Sequence, residues 1–377
     1  MITYRRAKPG EWQAYTEFAN MVFSLGGTPH DFAALLPKVY APGRLTEKLQ
    51  YLAVDENDSV RGLVAALPTA LTVGDTTIQT AYIGTVSTHP EARRQGHMVE
   101  LMNRQLAELK ADGCELVMLG GQRQRYQNFG FVTGGERYLY EISRSCIRHC
   151  FEKLEISDCT FEELRSGSEG EQWADALMRR QLCWYDRSDA GYAVTCRSFR
   201  ASAWLIRVNG ALCGTLVAAA DRLRIDELFL TDESLLPKVL KAWQLRHDGR
   251  ELRLVQPAWM AQRVRWLNSW AEGVHYTWNN NVSILNFRPV LQAFLRLKST
   301  YGRLTDGQVS FCVDGESFTV RVSNGVPSVE EGVEAPVTLT HLEACRLFLS
   351  PFDRPDTVQV PSDWFPLPVY CGVADEF

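Results

Sequence analysis

The chain has 377 residues, 45% hydrophobic and 11% aromatic, and carries a net charge of −5 at pH 7. That length calls for two or three domains with packed cores. The acidic balance argues against nucleic acid as the main partner and suits a cationic substrate. No window approaches twenty apolar residues, so no membrane span is expected. The opening residues M-I-T-Y-R-R lack the apolar stretch of a signal peptide. Ten scattered cysteines without a C-x-x-C pair fit a reducing, cytoplasmic compartment. Cys146, His149 and Cys150 lack further ligands at workable spacing, so no metal site is expected.

A short strand is predicted over residues 2–5 and a helix from Glu11 through Trp12, Tyr15, Phe18 and Ala19. Residues 26–43 are rich in glycine and proline and read as a loop. Strands follow over 52–54 and 60–66, joined by a polar turn, then over 76–86. Residues 86–98 form a basic turn, V-S-T-H-P-E-A-R-R-Q-G-H-M, leading into a helix with Met98, Met102, Leu106 and Leu109 on one face. Asp112-Gly113 ends it and residues 116–119 read as a buried strand.

The middle region repeats this order. A hairpin over 204–208 and 211–218 turns at Asn209-Gly210. A strand over 223–230 and a helix over 235–245 follow. The Arg/Gly turn is missing, with Thr231-Asp232-Glu233-Ser234 in its place. Near the end, residues 308–313 and 318–322 form a hairpin around Asp314-Gly315, and Thr340 and Glu343 form a capping box. The tail W-F-P-L-P-V-Y-C-G-V-A-D-E-F is apolar and proline-stiffened, so it is expected to pack on the protein and deliver the terminus to a definite place.

The basic turn has the parts of a pyrophosphate cradle. A helix N-terminus offers free N–H groups and partial positive charge. Gly96 allows close backbone approach, and Arg93 and Arg94 add forked donors. About thirty residues on comes the block Y-Q-N-F-G-F, from Tyr126 to Phe131, soon after the next strand. Parallel strand ends that splay there would admit a narrow ligand arm pairing with the backbone of Val86, Ser87 and Thr88.

The order of these parts resembles the GNAT superfamily of N-acetyltransferases. Its pyrophosphate signature Q/R-x-x-G-x-G/A is filled by Arg93-Arg94-Gln95-Gly96-His97-Met98, with Met98 departing from the final small residue. That departure, with the repeated middle region and the distinct last ninety residues, is similar to the enhanced intracellular survival (Eis) acetyltransferases. The resemblance implies an α/β (α+β) protein in three parts. Residues 1–144 would be an active GNAT domain, 145–284 a degenerate GNAT copy, and 285–377 a sterol carrier protein-like domain. It implies acetyl-CoA as co-substrate, held by Val86, Ser87, Thr88, Arg93, Arg94, Gln95, Gly96, His97, Met98, Val99, Gly121 and Gln122. Tyr126 would be the general acid and the carboxylate of Phe377 the general base. Phe23, Asp31 and Glu376 are candidates for the acceptor site, with Trp12 and Phe32 nearby in sequence. The acceptor would be a primary amine, on an aminoglycoside, a lysine or a polyamine-like molecule, and the assembly a homo-oligomer, a hexamer in the family. A non-catalytic acyl-CoA sensor or a lipid-binding protein remains the alternative.

Overall fold

The computed structural model describes residues 1–332, 337–355 and 358–377. It is a mixed α/β protein built on three sheets. The first begins with Thr3–Arg6, which pairs antiparallel with Gln50–Val54. Val60–Val73 and Thr76–Thr88 then form a long hairpin, and Leu116–Leu119 lies parallel to the latter. The helix His97–Ala111 crosses between those two parallel strands. Its buried face is centred on Leu101, Met102, Gln105 and Leu109, one position round from the apolar stripe read in the sequence. Gln105 is inside because its side chain accepts a 2.8 Å hydrogen bond from Arg6. A polar residue buried with a partner is invisible to a pattern of apolar spacing.

The second sheet follows the same path. Cys159–Glu163 pairs with Ser202–Val208, which forms a hairpin with Ala211–Ala218; Arg224–Leu230 joins antiparallel, and Leu252–Pro257 lies parallel to it after the helix Leu236–Arg246. The two sheets then trade strands. Asn280–Ile284 pairs antiparallel with Leu116–Leu119 in the first sheet. Arg137–Ile142 does the same for Leu252–Pro257 in the second. Divisions at 144 and 284 therefore cut the second sheet from Arg137–Ile142 and the first from both Asn280–Ile284 and the short strand Cys183–Tyr185. Strand character is a local property of alternation and side-chain type, whereas the choice of sheet edge is made by tertiary pairing.

Residues 26–43, read as a loop, contain two helical turns, Phe32–Leu35 and Pro37–Tyr40. Asp31 caps the first by accepting from the Ala34 N–H at 3.2 Å. Pro37 opens the second, where its missing N–H costs nothing.

The third sheet carries the expected hairpin, Gly307–Val313 with Glu316–Ser323, turning at Asp314 and Gly315 with both φ positive. The helix His341–Leu349 has the full capping box of Thr340 and Glu343. Phe311, Phe318 and Phe348 fill the space between helix and sheet, with ring centroids 5.2 and 5.7 Å apart around Phe311. His341 joins this unit to the first sheet: its ring nitrogens lie 2.9 Å from Ser283 Oγ and 3.2 Å from Asp314 Oδ2. The tail is buried as expected, with Trp364, Leu367, Val369 and Cys371 at zero exposure. None of the described helices is long and apolar enough to cross a membrane.

Candidate active site

The strand Thr76–Thr88 organises the site. It pairs with Leu116–Leu119 only as far as Ile83 opposite Leu119, and beyond that point the two part. On its other side the register with Val60–Val73 slips between Leu63 and Ala65, so Thr85 and Val86 face the single residue Val64. Such a bulge sharpens the local twist and re-aims the strand end. Thr85 takes the left-handed conformation, φ 49°, and its hydroxyl lies 2.7 Å from that of Tyr40. The open edge of residues 84–88 therefore points into the gap left by the shorter strand.

At the mouth of the gap lies a cleft of about 530 Å³ lined by Val86, Ser87, Thr88, Arg93, Arg94, Gly96, His97, Met98 and Val99. Gly96 caps the helix with φ 83° and no side-chain cap, so the first N–H groups of a 15-residue helix are left for a ligand. The positive φ favours glycine here and crowding does not, since an added Cβ would meet nothing within 4 Å. Arg93 and Arg94 are exposed, and neither makes an ion pair among the described residues. Unpaired arginines beside an uncapped helix N-terminus have the chemistry to hold an anion. His97 contributes its backbone only: its ring is turned inward, 2.8 Å from the Tyr4 hydroxyl. Met98 lines the cleft and packs partly against the core beneath the helix. Gln95 is exposed and bonds to the Glu91 carbonyl.

Gly121 and Gln122 stand outside this lining, just past the end of Leu116–Leu119. The Tyr126 ring packs on Gly121, its Cε2 lying 3.2 Å from where a Cβ would stand. Tyr126 is 5% exposed, and burial raises its hydroxyl above the ordinary tyrosine value, with Arg125 pulling the other way.

The terminus arrives from the opposite direction. A Cβ on Gly84 would come within 2.7 Å of both the carbonyl carbon and an oxygen of Phe377. Its carboxylate thus rests on the one residue of the strand that leaves room for it. The Phe377 ring lies 6.0 Å from that of Tyr40. Behind it, buried Lys38 donates from Nζ to the carbonyls of Ala374 and Glu376, both at 2.6 Å. Burial pulls its ammonium down to about 8, with Asp375 opposing. Burial also lifts the Glu376 carboxyl to about 7, against a 3.3 Å hydrogen bond from Asn280.

Of the remaining acceptor-site candidates, Phe23 is linked to Phe377 through Phe32 and Tyr40, with successive ring centroids 5.0, 5.5 and 6.0 Å apart. Asp31 is occupied as a helix cap, and Phe23 packs edge-on against Phe32 at 5.0 Å. Trp12 packs against the core beside them. Sequence reasoning missed Lys38 and Gly84. A lone lysine in a predicted loop gives no signal, and the need for glycine at 84 comes from a residue almost three hundred positions away. In the second sheet, Asp232 caps the Ser234 N–H and Glu233 bonds Arg263 at 2.8 Å where the first has its cradle. Among the described residues no group of three or more His, Cys, Asp and Glu side chains could hold a metal ion.

Residues 3–134 match the family model of the acetyltransferase (GNAT) domain. The protein is an acyltransferase, and its acyl-transfer domain is the one that carries this cleft. Such a domain takes acetyl-CoA as its donor. Solved structures share the fold of nearly the whole chain. A GCN5-related N-acetyltransferase from Kribbella flavida superimposes with a TM-score of 0.67 at 14% identity, covering 92% of this chain and 88% of that one. One from Anabaena variabilis gives 0.66 at 15%, covering 92% and 90%. Eis1 from Mycobacterium abscessus gives 0.58 at 14%, covering 94% and 89%. No curated protein sequence matches the chain.

Proposed function

We propose that the protein is an Eis-type N-acetyltransferase that moves an acetyl group from acetyl-CoA to a primary amine by direct attack. Tyr126 serves as general acid and the Phe377 carboxylate as general base. The observation that carries this reading is the seat of Phe377 on Gly84, in the strand whose open end lines the anion cleft.

The pyrophosphate of acetyl-CoA would sit on the N–H groups around Gly96, with Arg93 and Arg94 beside it and the pantetheine arm along residues 86–88. The amine nitrogen attacks the thioester carbonyl, the C–N bond forms and the C–S bond breaks. The amine's proton leaves toward the Phe377 carboxylate, and the sulfur takes a proton from Tyr126. A thiol titrates near ~8.5 and a tyrosine near ~10, a mismatch of only about 2 kcal/mol. An α-carboxylate near ~3.5 is a weak base for an amine near ~10, so its negative charge also serves to draw a cationic acceptor in. Glu376, lifted by burial to about 7, adds only part of a charge near neutral pH.

The repeated strand order of the two sheets supports reading residues 1–144 and 145–284 as two copies of one fold that exchange edge strands, the second without a cradle. Residues 285–377, sterol carrier protein-like in this reading, deliver the terminus. Aminoglycosides, lysine side chains and polyamines are the acceptor classes, and assembly as a homo-oligomer, a hexamer, belongs to the same reading. Light scattering on the purified chain gives the subunit number.

Arg94→Ala is expected to weaken acetyl-CoA binding about tenfold or more, the worth of a charged hydrogen bond. Titration calorimetry reads this, and an unchanged Kd removes Arg94 from the pyrophosphate site. Gly84→Ala is expected to displace the terminus: kcat should fall while acetyl-CoA still binds. Wild-type turnover in a folded Gly84→Ala variant would reject the seat of Phe377 as part of the mechanism.

A further inference from the structure

We propose that Arg187, in the second of the three parts, is a positioning residue that clamps the terminal segment through Asp375 and so aims the Phe377 carboxylate. This rests on the reading of Phe377 as proton acceptor.

Arg187 lies at the seam of the two sheets. It follows the short strand Cys183–Tyr185, which pairs with Leu71–Val73 of the first sheet. Its side chain is 3% exposed, and the carboxylates it meets, Glu227 and Asp375, are 6% and 8% exposed. All five guanidinium donors are placed. Nε reaches Asp375 Oδ1 at 2.8 Å and Nη2 reaches Asp375 Oδ2 at 2.7 Å. Nη1 and Nη2 reach the two oxygens of Glu227 at 3.1 and 2.5 Å, and Nη1 also reaches Cys196 Sγ at 3.3 Å. Two bidentate pairs on one fork fix position and orientation together. Lysine in the same place, a point charge on a flexible stem, could not reproduce it.

Glu227 belongs to Arg224–Leu230, a strand in the interior of the second sheet, so the anchor is rigid. The fork passes that rigidity to Asp375, two residues before the terminus. There the Asp375 and Glu376 N–H groups both bond to the Gly372 carbonyl, at 2.9 and 3.2 Å, closing a tight turn. Lys38, from the first part, holds the carbonyls on either side of Asp375. Each of the first two parts thus grips the terminal turn with one buried cation, and Phe377 emerges between them onto Gly84.

Stability alone is a poor reason for this arrangement. Burying charges costs several kcal/mol per ion, and apolar packing often holds a segment as well. What the charged fork adds is a fixed direction. A shift of about 1 Å in a reacting group can lower a rate about a hundredfold.

The test compares Arg187→Lys, Arg187→Met and Asp375→Asn with the intact chain and with a chain lacking Phe377. Two readouts are taken: kcat with KM for acetyl-CoA, and the rate at which carboxypeptidase A releases the terminal phenylalanine. All three substitutions are expected to lower kcat about tenfold to a hundredfold with KM for acetyl-CoA little changed. Release of Phe377 should accelerate at least tenfold. Asp375→Asn leaves the Arg187–Glu227 pair in place, so it remains informative if an Arg187 variant fails to fold. Wild-type kcat and wild-type resistance to the carboxypeptidase in folded Asp375→Asn or Arg187→Lys would overturn the clamp. If the chain lacking Phe377 keeps full activity while the Arg187 variants shed Phe377 quickly, the carboxylate's role as base fails and the clamp stands.

Discussion

Replacing Tyr126 by phenylalanine is expected to lower kcat by about 10²–10³-fold, within the usual contribution of a positioned proton donor. The acetyl-CoA Kd should stay within about twofold, because the ring still packs on Gly121 and only the hydroxyl is lost. A loss confined to kcat marks an interaction made in the transition state. Burial holds the Tyr126 hydroxyl above its ordinary value, so it keeps its proton through the neutral range. Its own alkaline limb in kcat therefore belongs above about pH 10. An alkaline fall centred below about pH 9 would have another origin and should persist in Tyr126→Phe. Unchanged turnover in that variant would remove Tyr126 from the chemistry.

Deleting Phe377 is expected to have an effect at least as large, about 10²–10⁴-fold on kcat. The deletion takes away the carboxylate on Gly84 and the ring beside Tyr40. Phe377→Leu separates the two, since it keeps the carboxylate and shortens only the apolar anchor; it should retain most activity. Adding one residue after Phe377 should act like the deletion, because the charge is carried past its seat. The Arg93–Val99 cradle lies at the other end of the gap, so acetyl-CoA should bind all these variants alike. Full activity in the deleted or extended chain would reject the terminal carboxylate as base.

The parts of this site differ in how far the sequence discloses them. The cradle is local: a strand, a basic turn, Gly96 and a helix lie within a few dozen residues, and each has its own chemical signature. The hairpins at Asn209-Gly210 and Asp314-Gly315 and the capping box at Thr340 were legible for the same reason. The aromatic block drew attention to Tyr126, whose role comes from the family resemblance, while its packing on Gly121 is a tertiary contact. The seat of Phe377 was not, since Gly84 and Lys38 acquire their meaning only from a tail that folds back across the chain. The exchange of Arg137–Ile142 and Asn280–Ile284 was hidden likewise, because alternation identifies a strand and says nothing of its neighbour. Asp31 caps a helix and Phe23 packs on Phe32, contacts that their side-chain types alone do not disclose.

The most direct test is release of free thiol from acetyl-CoA by the full chain across a panel of aminoglycosides, polyamines, lysine peptides and arylalkylamines. Thiol release that depends on the amine, is matched mole for mole by the N-acetylated product and disappears with Phe377 is the predicted result. Acetyl-CoA that binds the cleft but releases no thiol with any amine in the panel would contradict it.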